Sequence, residues 1–142
     1  MPPVFAAIEL KSDPGELVRL TEAVDRFCDS VPVSDEDRFA LQLALEEGVL
    51  NITNHGYKGE PGHTIHVALN ANDAAVTVVL KDDAPAYDPL ARPDVDTTSA
   101  LEERAVGGLG VHLIKKLMQE TSYERRDGAN ILTLVRHITR TT

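Results

Sequence analysis

Apolar residues recur every two positions in some stretches of the chain and every three or four in others, and the two periods predict different elements. Residues 4–10, VFAAIEL, form a short predicted strand. A helix is expected next, because Ser12 or Asp13 can cap its N-terminus and Pro14 suits its first turn. The stripe along this helix consists of Leu17, Leu20, Val24 and Phe27.

A second helix is predicted from Ser34 to about Asn54. Ser34 is a good N-cap, and the acidic residues at 35–37 interact favourably with a helix N-terminus. The Gly- and Pro-rich residues 55–63, HGYKGEPGH, interrupt the chain after it. The apolar residues that carry this helix are Phe39, Leu41, Leu43, Leu45, Val49, Leu50 and Ile52.

The second half of the chain starts with two predicted strands, residues 64–70 and 74–82, which are apolar and β-branched. Residues 82–108 are rich in Pro, Asp and small residues, and their length predicts a mobile functional loop. A third helix is predicted from near Gly110 through residue 121. Two further strands follow, joined by a turn at Asp127 and Gly128.

This order, β-α-α-β-β-loop-α-β-β, predicts an α/β fold of the two-layer sandwich type, often called α+β. We expect one mixed, mainly antiparallel sheet with the helices on one face, because few strands are followed by crossover helices. A doubly wound sheet is excluded for the same reason. The 142 residues fit a single domain, residues 1–142.

Composition narrows the classes of function. The formal net charge is −9, which disfavours binding to nucleic acid or to an anionic membrane. No apolar run reaches the roughly 20 residues that cross a bilayer, and the N-terminus lacks the pattern of a secretory signal. Cys28 is the single cysteine, so no internal disulfide can form. A cytoplasmic location is therefore expected.

The stretch EEGVLNITNHGY, residues 46–57, is unusually polar for a helix that follows strongly apolar turns. Glu47, Asn51 and either Asn54 or His55 share one helix face. An amide oxygen suits Mg²⁺, and a carboxylate one turn away can accept a hydroxyl proton. The alternative is an ordinary solvated face.

Two further stretches can likewise be interpreted either as ligand contacts or as ordinary turns and linkers. In VVLKDDAPAYDP, Asp82 or Asp83 follows a buried strand and can accept a hydrogen bond from a base amine, or the segment is a plain turn. In VGGLGVHL, Gly107, Gly108 and Gly110 precede a helix. Glycines there allow close approach of a phosphate to the helix N-terminus, although glycine is also common in linkers.

The order and spacing of these stretches are more specific than any of them alone. EEGVLNITNHGY, DDAPAYDP, GGLGVHLIKKLM and DGANILTLV together resemble the ATP-binding module of histidine kinases, gyrase, Hsp90 and MutL, the Bergerat or GHKL fold. Within that superfamily the chain is most similar to the bacterial anti-sigma-factor serine/threonine kinases. The resemblance covers residues 34–138.

The first box of the family is matched by Glu47, Asn51, His55, Gly56 and Tyr57. The resemblance implies that Asn51 ligates the Mg²⁺ that bridges the ATP phosphates. It implies that Glu47 is the general base and that His55 belongs to the nucleotide site.

The second box is matched by residues 82–89. The resemblance implies that Asp82 accepts a hydrogen bond from the adenine amine. Ala84 stands where the family usually has glycine, and we expect it beside the base. The family often has a threonine near the adenine late in the fold, and Thr133 is the predicted equivalent.

The third box is the glycine-rich hinge of a lid that closes over ATP, matched by Gly108, Leu109 and Gly110. Residues 90–106 correspond to that lid. Within it, Arg104 is the expected phosphate contact.

The resemblance implies an ATP- and Mg²⁺-dependent serine/threonine protein kinase that acts as an anti-sigma regulatory factor. Its substrate would be a STAS-type anti-anti-sigma protein, a sigma factor would be a second partner, and the chain would be a homodimer. Two alternatives remain open. One is a non-catalytic ATP/ADP switch that sequesters a partner. The other is a sequestering protein that has lost nucleotide binding.

Overall fold

Five strands form the sheet, and the computed structural model describes residues 3–91 and 109–138 of the chain. The strands are β1 (Val4–Lys11), β2 (Thr64–Ala71), β3 (Ala75–Asp82), β4 (Glu120–Arg126) and β5 (Ala129–His137). Their order across the sheet is β1-β2-β3-β5-β4, and every pairing is antiparallel. The predicted antiparallel character is therefore confirmed, but the expectation of a mixed sheet is wrong, because no parallel pair occurs among the described strands.

Three helices are described, α1 (Leu17–Asp29), α2 (Asp35–Asn51) and α3 (Leu109–Leu117). The Ser34 side chain accepts a hydrogen bond from the backbone N–H of Asp37 at 3.0 Å, so the predicted cap of α2 is confirmed. Asp13 caps a 3-10 turn, Pro14–Glu16, that leads into α1. Ser12 is instead buried, where it contacts the loop before β2.

Two helix ends differ from the prediction. The α-helical hydrogen bonding of α2 stops at Asn51, and a π-helical turn, Ile52–Gly56, follows. The third helix was predicted to continue through residue 121, but α3 ends at Leu117. The reason lies in tertiary contacts, because Arg136 of β5 donates to the Leu117 carbonyl at 2.7 Å and the Gln119 N–H donates to the Val135 carbonyl.

The core lies between the helices and one face of the sheet. Alternate residues of the central strands are buried there, while the opposite face is open, with the Phe5 side chain 71% exposed. The helices therefore cover one face, as predicted. The buried strand residues of this core are Leu10, Ile65, Val67, Leu69, Ala71, Val76, Val78, Leu80, Leu132 and Leu134.

Helix α2 lies directly against β3 at a glycine. A Cβ atom added at Gly48 would lie 2.5 Å from Cδ1 of Leu80, so a side chain there would require Leu80 to move. Glycine in a helix costs about 1 kcal/mol relative to alanine, and the close contact between helix and strand offsets that cost. The contact places the last turn of α2 beside the end of β3.

Candidate functional site

The C-terminal end of α2 and the C-terminal end of β3 border one narrow cavity. Polar residues from both elements line it, and a tyrosine from β4 closes one side. The lining residues are Asn51, Ile52, Gly56, Asp82, Tyr87, Pro89, Tyr123, Asn130 and Leu132. The fold thus brings Asn51 and Asp82, which are 31 positions apart in the sequence, to the same cavity.

Asp82 is a carboxylate held at one oxygen. Its side chain is 5% exposed, and Oδ1 accepts hydrogen bonds from the Ala84 N–H and from Asn130 Nδ2, both at 2.9 Å. Oδ2 accepts no hydrogen bond from the described residues. Burial raises the pKa of Asp82, and the two hydrogen bonds partly oppose that rise. The site therefore presents one carboxylate oxygen that can accept a ligand's N–H.

Asn51 ends α2 with an unsatisfied acceptor. Its side chain is 9% exposed, and Oδ1 has no hydrogen-bond partner among the described residues. A buried acceptor without a partner costs about 1–3 kcal/mol, so such atoms call for an explanation. An amide oxygen is a ligand of the type that Mg²⁺ accepts, and this residue fits the predicted metal contact.

Glu47 lies one turn before Asn51 and is half-buried. Burial raises the pKa of Glu47, and the negative charge of Glu46 adds to the effect. A Cβ added at Gly110 would lie 2.5 Å from Oε2 of Glu47, so the carboxylate rests against the first turn of α3. Gly110 thereby leaves the space that the predicted general base occupies.

His55 and Ala84 border the cavity without lining it. The His55 ring stacks on Tyr87, with 6.2 Å between ring centroids and 19° between planes. Ala84 is 1% exposed and belongs to the core, and its Cβ would lie 3.1 Å from a Cβ added at Gly56. The methyl group that replaces the usual glycine is therefore directed at Gly56, which lines the cavity, and its place beside the base stays a prediction.

The structure does not bring Thr133 into the site. Successive side chains of a strand point to opposite faces, and Leu132 and Leu134 are buried on the helix side. Thr133 therefore lies on the open face, between Val79 and Ser122 of the neighbouring strands. The β5 residue that reaches Asp82 is Asn130, which sequence reasoning missed.

Three residues, Asn130, Tyr57 and Arg125, hold the chain segment at residues 82–84. The Tyr57 hydroxyl donates to Asp83 Oδ1 at 2.6 Å and accepts from the Asp83 N–H at 3.1 Å. Burial raises the pKa of Tyr57, so this hydroxyl stays a donor at neutral pH. Arg125 Nη1 donates to the Ala84 carbonyl at 2.7 Å. These contacts fix the turn that carries Asp82.

Two predicted residues, Arg104 and Gly108, lie outside the described residues, and so does most of the predicted lid. Leu109 begins α3. Among residues 3–91 and 109–138, no group of three or more His, Cys, Asp or Glu side chains is placed to hold a metal ion. Within the same ranges, no helix has the length and hydropathy needed to cross a membrane.

Comparison with known proteins gives a consistent result. A family described as "Histidine kinase-like ATPase domain" matches residues 10–136. The serine/threonine-protein kinase BtrW of Bordetella bronchiseptica is 36% identical over 102 residues, which cover 70% of this chain and 70% of BtrW. The serine-protein kinase RsbW of Bacillus pumilus is 25% identical over 97 residues, which cover 64% of this chain and 60% of that protein.

A solved structure shows the same fold. It is the crystal structure of the RsbU and RsbW domains of a Mycobacterium tuberculosis protein, with a TM-score of 0.66 and 19% identity. The match covers 99% of this chain and 34% of the solved chain. The chain thus spans about a third of that solved chain and less than two thirds of the RsbW relative.

Proposed function

Because the chain belongs to the histidine kinase-like ATPase domain family, we propose that it binds Mg·ATP in the cavity between α2 and β3 and phosphorylates a protein on serine or threonine. The observation that carries this proposal is a pair of acceptors in that cavity to which no described residue donates: Asn51 Oδ1, which is fully buried, and Asp82 Oδ2, whose partner oxygen Oδ1 takes both hydrogen bonds that the carboxylate accepts from the described residues. The family implies nucleotide use, and these two atoms have the chemistry for the metal end and the base end of ATP.

At the base end, Asp82 Oδ2 accepts a hydrogen bond from the adenine amine. The amine is a donor, and Oδ1 is already occupied by two donors from the protein. A buried acceptor gains most from a ligand that completes its hydrogen bonds. Tyr87 and Leu132 supply apolar surface for the ring.

At the phosphate end, Asn51 is the protein ligand of Mg²⁺, which takes few protein ligands and several waters. A cation held there would neutralise phosphate charge that this acidic protein would otherwise repel. The N-terminal turn of α3, at Leu109 and Gly110, supplies backbone donors for phosphate oxygens. Gly108 and Arg104 remain predicted phosphate contacts on the same grounds as in the sequence.

Glu47 acts as the general base. It lies one turn from Asn51 on the same helix, so the metal ligand and the base have a fixed spacing. Its raised pKa brings the carboxylate nearer to the range in which it can take a hydroxyl proton and later release it. A base adds about 10²–10⁴-fold to such a reaction.

The protein substrate is proposed to be a STAS-type anti-anti-sigma protein, with a sigma factor as a second partner that the chain holds inactive. This rests on the kinship with proteins named serine/threonine-protein kinase BtrW and serine-protein kinase RsbW. A single domain, a homodimer and a cytoplasmic location belong to the same proposal. No role in binding nucleic acid or membrane is proposed, in keeping with the net charge of −9.

The first test is a thermal melt with and without Mg·ATP on the wild type, on Asn51→Ala and on Asn70→Ala. Asn70 is exposed on β2, away from the cavity, and is the matched control. We expect Mg·ATP to raise the Tm of the wild type and of Asn70→Ala by several degrees and to leave that of Asn51→Ala unchanged.

The outcomes separate the alternatives. No Mg·ATP shift in the wild type would refute nucleotide binding and would favour a sequestering protein. A shift without phosphate transfer to serine or threonine of any STAS-type protein would favour a non-catalytic switch. An equal shift in Asn51→Ala would refute the metal contact alone.

A further inference from the structure

We propose that Asn130 is a positioning residue that makes the nucleotide site selective for a base with a 6-amino group over one with a 6-oxo group. It does so by holding Asp82 with one carboxylate oxygen engaged and the other left for the base. This inference rests on the proposed function, because it concerns the same cavity. It assigns a role to a residue that the resemblance leaves without one.

Asn130 is bonded at both ends of its amide. Nδ2 donates to Asp82 Oδ1 at 2.9 Å, to the Ala84 carbonyl at 3.1 Å and to the Pro85 carbonyl at 3.2 Å. Oδ1 accepts from the Tyr87 N–H at 3.3 Å and from the Tyr123 hydroxyl. The side chain is 6% exposed. Three acceptors surround Nδ2 and two donors surround Oδ1, so this environment admits only one orientation of the amide.

This amide fixes the orientation of Asp82. The final torsion of an aspartate side chain is broad, so an unsupported carboxylate can turn out of its plane and direct both oxygens elsewhere. The Ala84 N–H and Asn130 Nδ2 both hold Oδ1. Turning the carboxylate would break both bonds in a buried place, where a lost partner is costly. Oδ2 therefore remains the single acceptor for a ligand at this point of the cavity.

A single fixed acceptor distinguishes two kinds of purine. A 6-amino group donates to Oδ2, whereas a 6-oxo group places a second acceptor against it and leaves both without a proton. Sites built around a buried hydrogen bond reject the mismatched ligand much more strongly than apolar pockets reject a change of size. Without Asn130, the carboxylate can turn or take up a proton, and either change relaxes the discrimination.

The support for Asn130 extends to the edge of the sheet. Tyr123 belongs to the outer strand β4, lines the cavity and donates its hydroxyl proton to Asn130. Removal of this hydroxyl alone leaves the packing of the ring intact. Tyr123→Phe is thus a conservative variant that removes one hydrogen bond to Asn130 Oδ1 and leaves Asn130 itself in place.

The experiment compares the dissociation constants of Mg·ATP and Mg·ITP, whose bases differ in the 6-amino and 6-oxo groups and in the proton that the 6-oxo base carries on N1. The proteins are the wild type, Asn130→Ala, Tyr123→Phe and the control Thr133→Val, which alters the same strand on its open face. We expect the wild type and Thr133→Val to prefer ATP. In Asn130→Ala the preference should fall about tenfold, and in Tyr123→Phe about twofold to threefold.

Turnover gives a readout that a merely structural role would not move. Loss of base positioning should raise KM for ATP and leave kcat near the wild-type value, since the phosphate end is untouched. If Asn130→Ala fails to fold, Tyr123→Phe carries the same test. An unchanged ATP-to-ITP ratio in the folded variants, with wild type binding ATP, would overturn this inference alone. A wild type that binds neither nucleotide would overturn the proposed function as well.

Discussion

The two ends of α2 differ in whether their buried polar side chains have hydrogen-bond partners. At the N-terminal end Ser34 caps the helix, and the buried Asp37 carboxylate pairs with Arg136 at 3.0 Å. Arg136 also donates to the Leu117 carbonyl, so one guanidinium joins α2, β5 and the end of α3. At the C-terminal end the helix changes to a π-helical turn, and Asn51 Oδ1 is left without a partner among the described residues.

The difference shows where the chain tolerates unsatisfied groups. Buried polar groups that are fully paired specify the packing of neighbouring elements, whereas buried groups without a partner cost free energy unless a ligand completes them. One end of the same helix therefore orients the fold, and the other end has the features of a site prepared for a ligand. Substitutions at the two ends should accordingly have separable effects on stability and on activity.

The largest effect is expected from Asp37→Ala. It leaves Arg136, whose side chain is 12% exposed, without its carboxylate, and breaking a largely buried pair in this way costs about 3–5 kcal/mol in the free energy of unfolding. Urea denaturation measures this value, and Asp35→Ala, which removes an exposed carboxylate from the same helical turn, is the control. A loss similar to that of the control would mean that the two ends of α2 do not differ in this way.

Glu47→Gln should have the opposite profile. We expect phosphoryl transfer to fall about 10²–10⁴-fold while urea denaturation shows no loss of stability, because the amide has the shape of the carboxylate without its charge. The neighbouring Glu46→Gln, which alters an exposed side chain, should keep its activity at neutral pH. Parallel loss of folding and activity in Glu47→Gln would contradict a purely chemical role.

Asp82→Asn should stabilise the protein while it abolishes nucleotide binding. Burial raises the pKa of Asp82 in the folded state, so folding disfavours the charged form, and stability falls as pH rises through that raised pKa. The amide keeps an oxygen acceptor and removes the charge. At neutral pH we expect a Tm a few degrees above wild type, with no further rise on addition of Mg·ATP. A lower Tm would show that the carboxylate contributes to the fold.

The smallest expected effect concerns pH. The base must be deprotonated, so activity should fall as pH drops through the raised pKa of Glu47. Glu46→Gln removes a negative charge that contributes to this rise, and the acid limb of the kcat profile should therefore move to lower pH. A limb that moves to higher pH, or that survives in Glu47→Gln, would assign the titration to another group.

Much of this molecule could be predicted from the sequence because local signals agreed with tertiary contacts. The cap at Ser34 and the β-branched, apolar composition of β2 and β3 are local signals, and the cap and both strands appear as predicted. The meeting of Asn51 with Asp82 was expected from the order of the motifs, and both residues line one cavity.

The choice between Thr133 and Asn130 depends on which face of β5 is buried. The signal was present, because Asn130, Leu132 and Leu134 have the spacing of one strand face, and the turn at Asp127 and Gly128 fixes where the strand begins. Both turn residues have positive φ, 52° and 78°, as a two-residue hairpin requires. Thr133 was predicted from the resemblance to the family, and the alternation of β5 places that residue on the open face instead.

The end of α3 had no such local signal. Residues 118–121 continue an acceptable helical pattern, and only the register of β5 shows why they leave the helix. Gln119 is already bonded to Val135, and β4 begins at Glu120. Competition of this kind between a local propensity and a distant strand is not visible from one segment alone.

The function of the site depends on the number of residues in the π-helical turn after Asn51. Each residue of an α-helix advances the chain by about 100° around the axis. Adding or removing one residue therefore changes the direction of the chain segment that follows the helix. Deleting one residue from Ile52–Gly56 would rewind the turn and rotate Gly56 away from Ala84, although every side chain around the cavity could remain the same. The length of this turn therefore sets the geometry of the site, and a one-residue deletion would test this dependence more directly than any substitution.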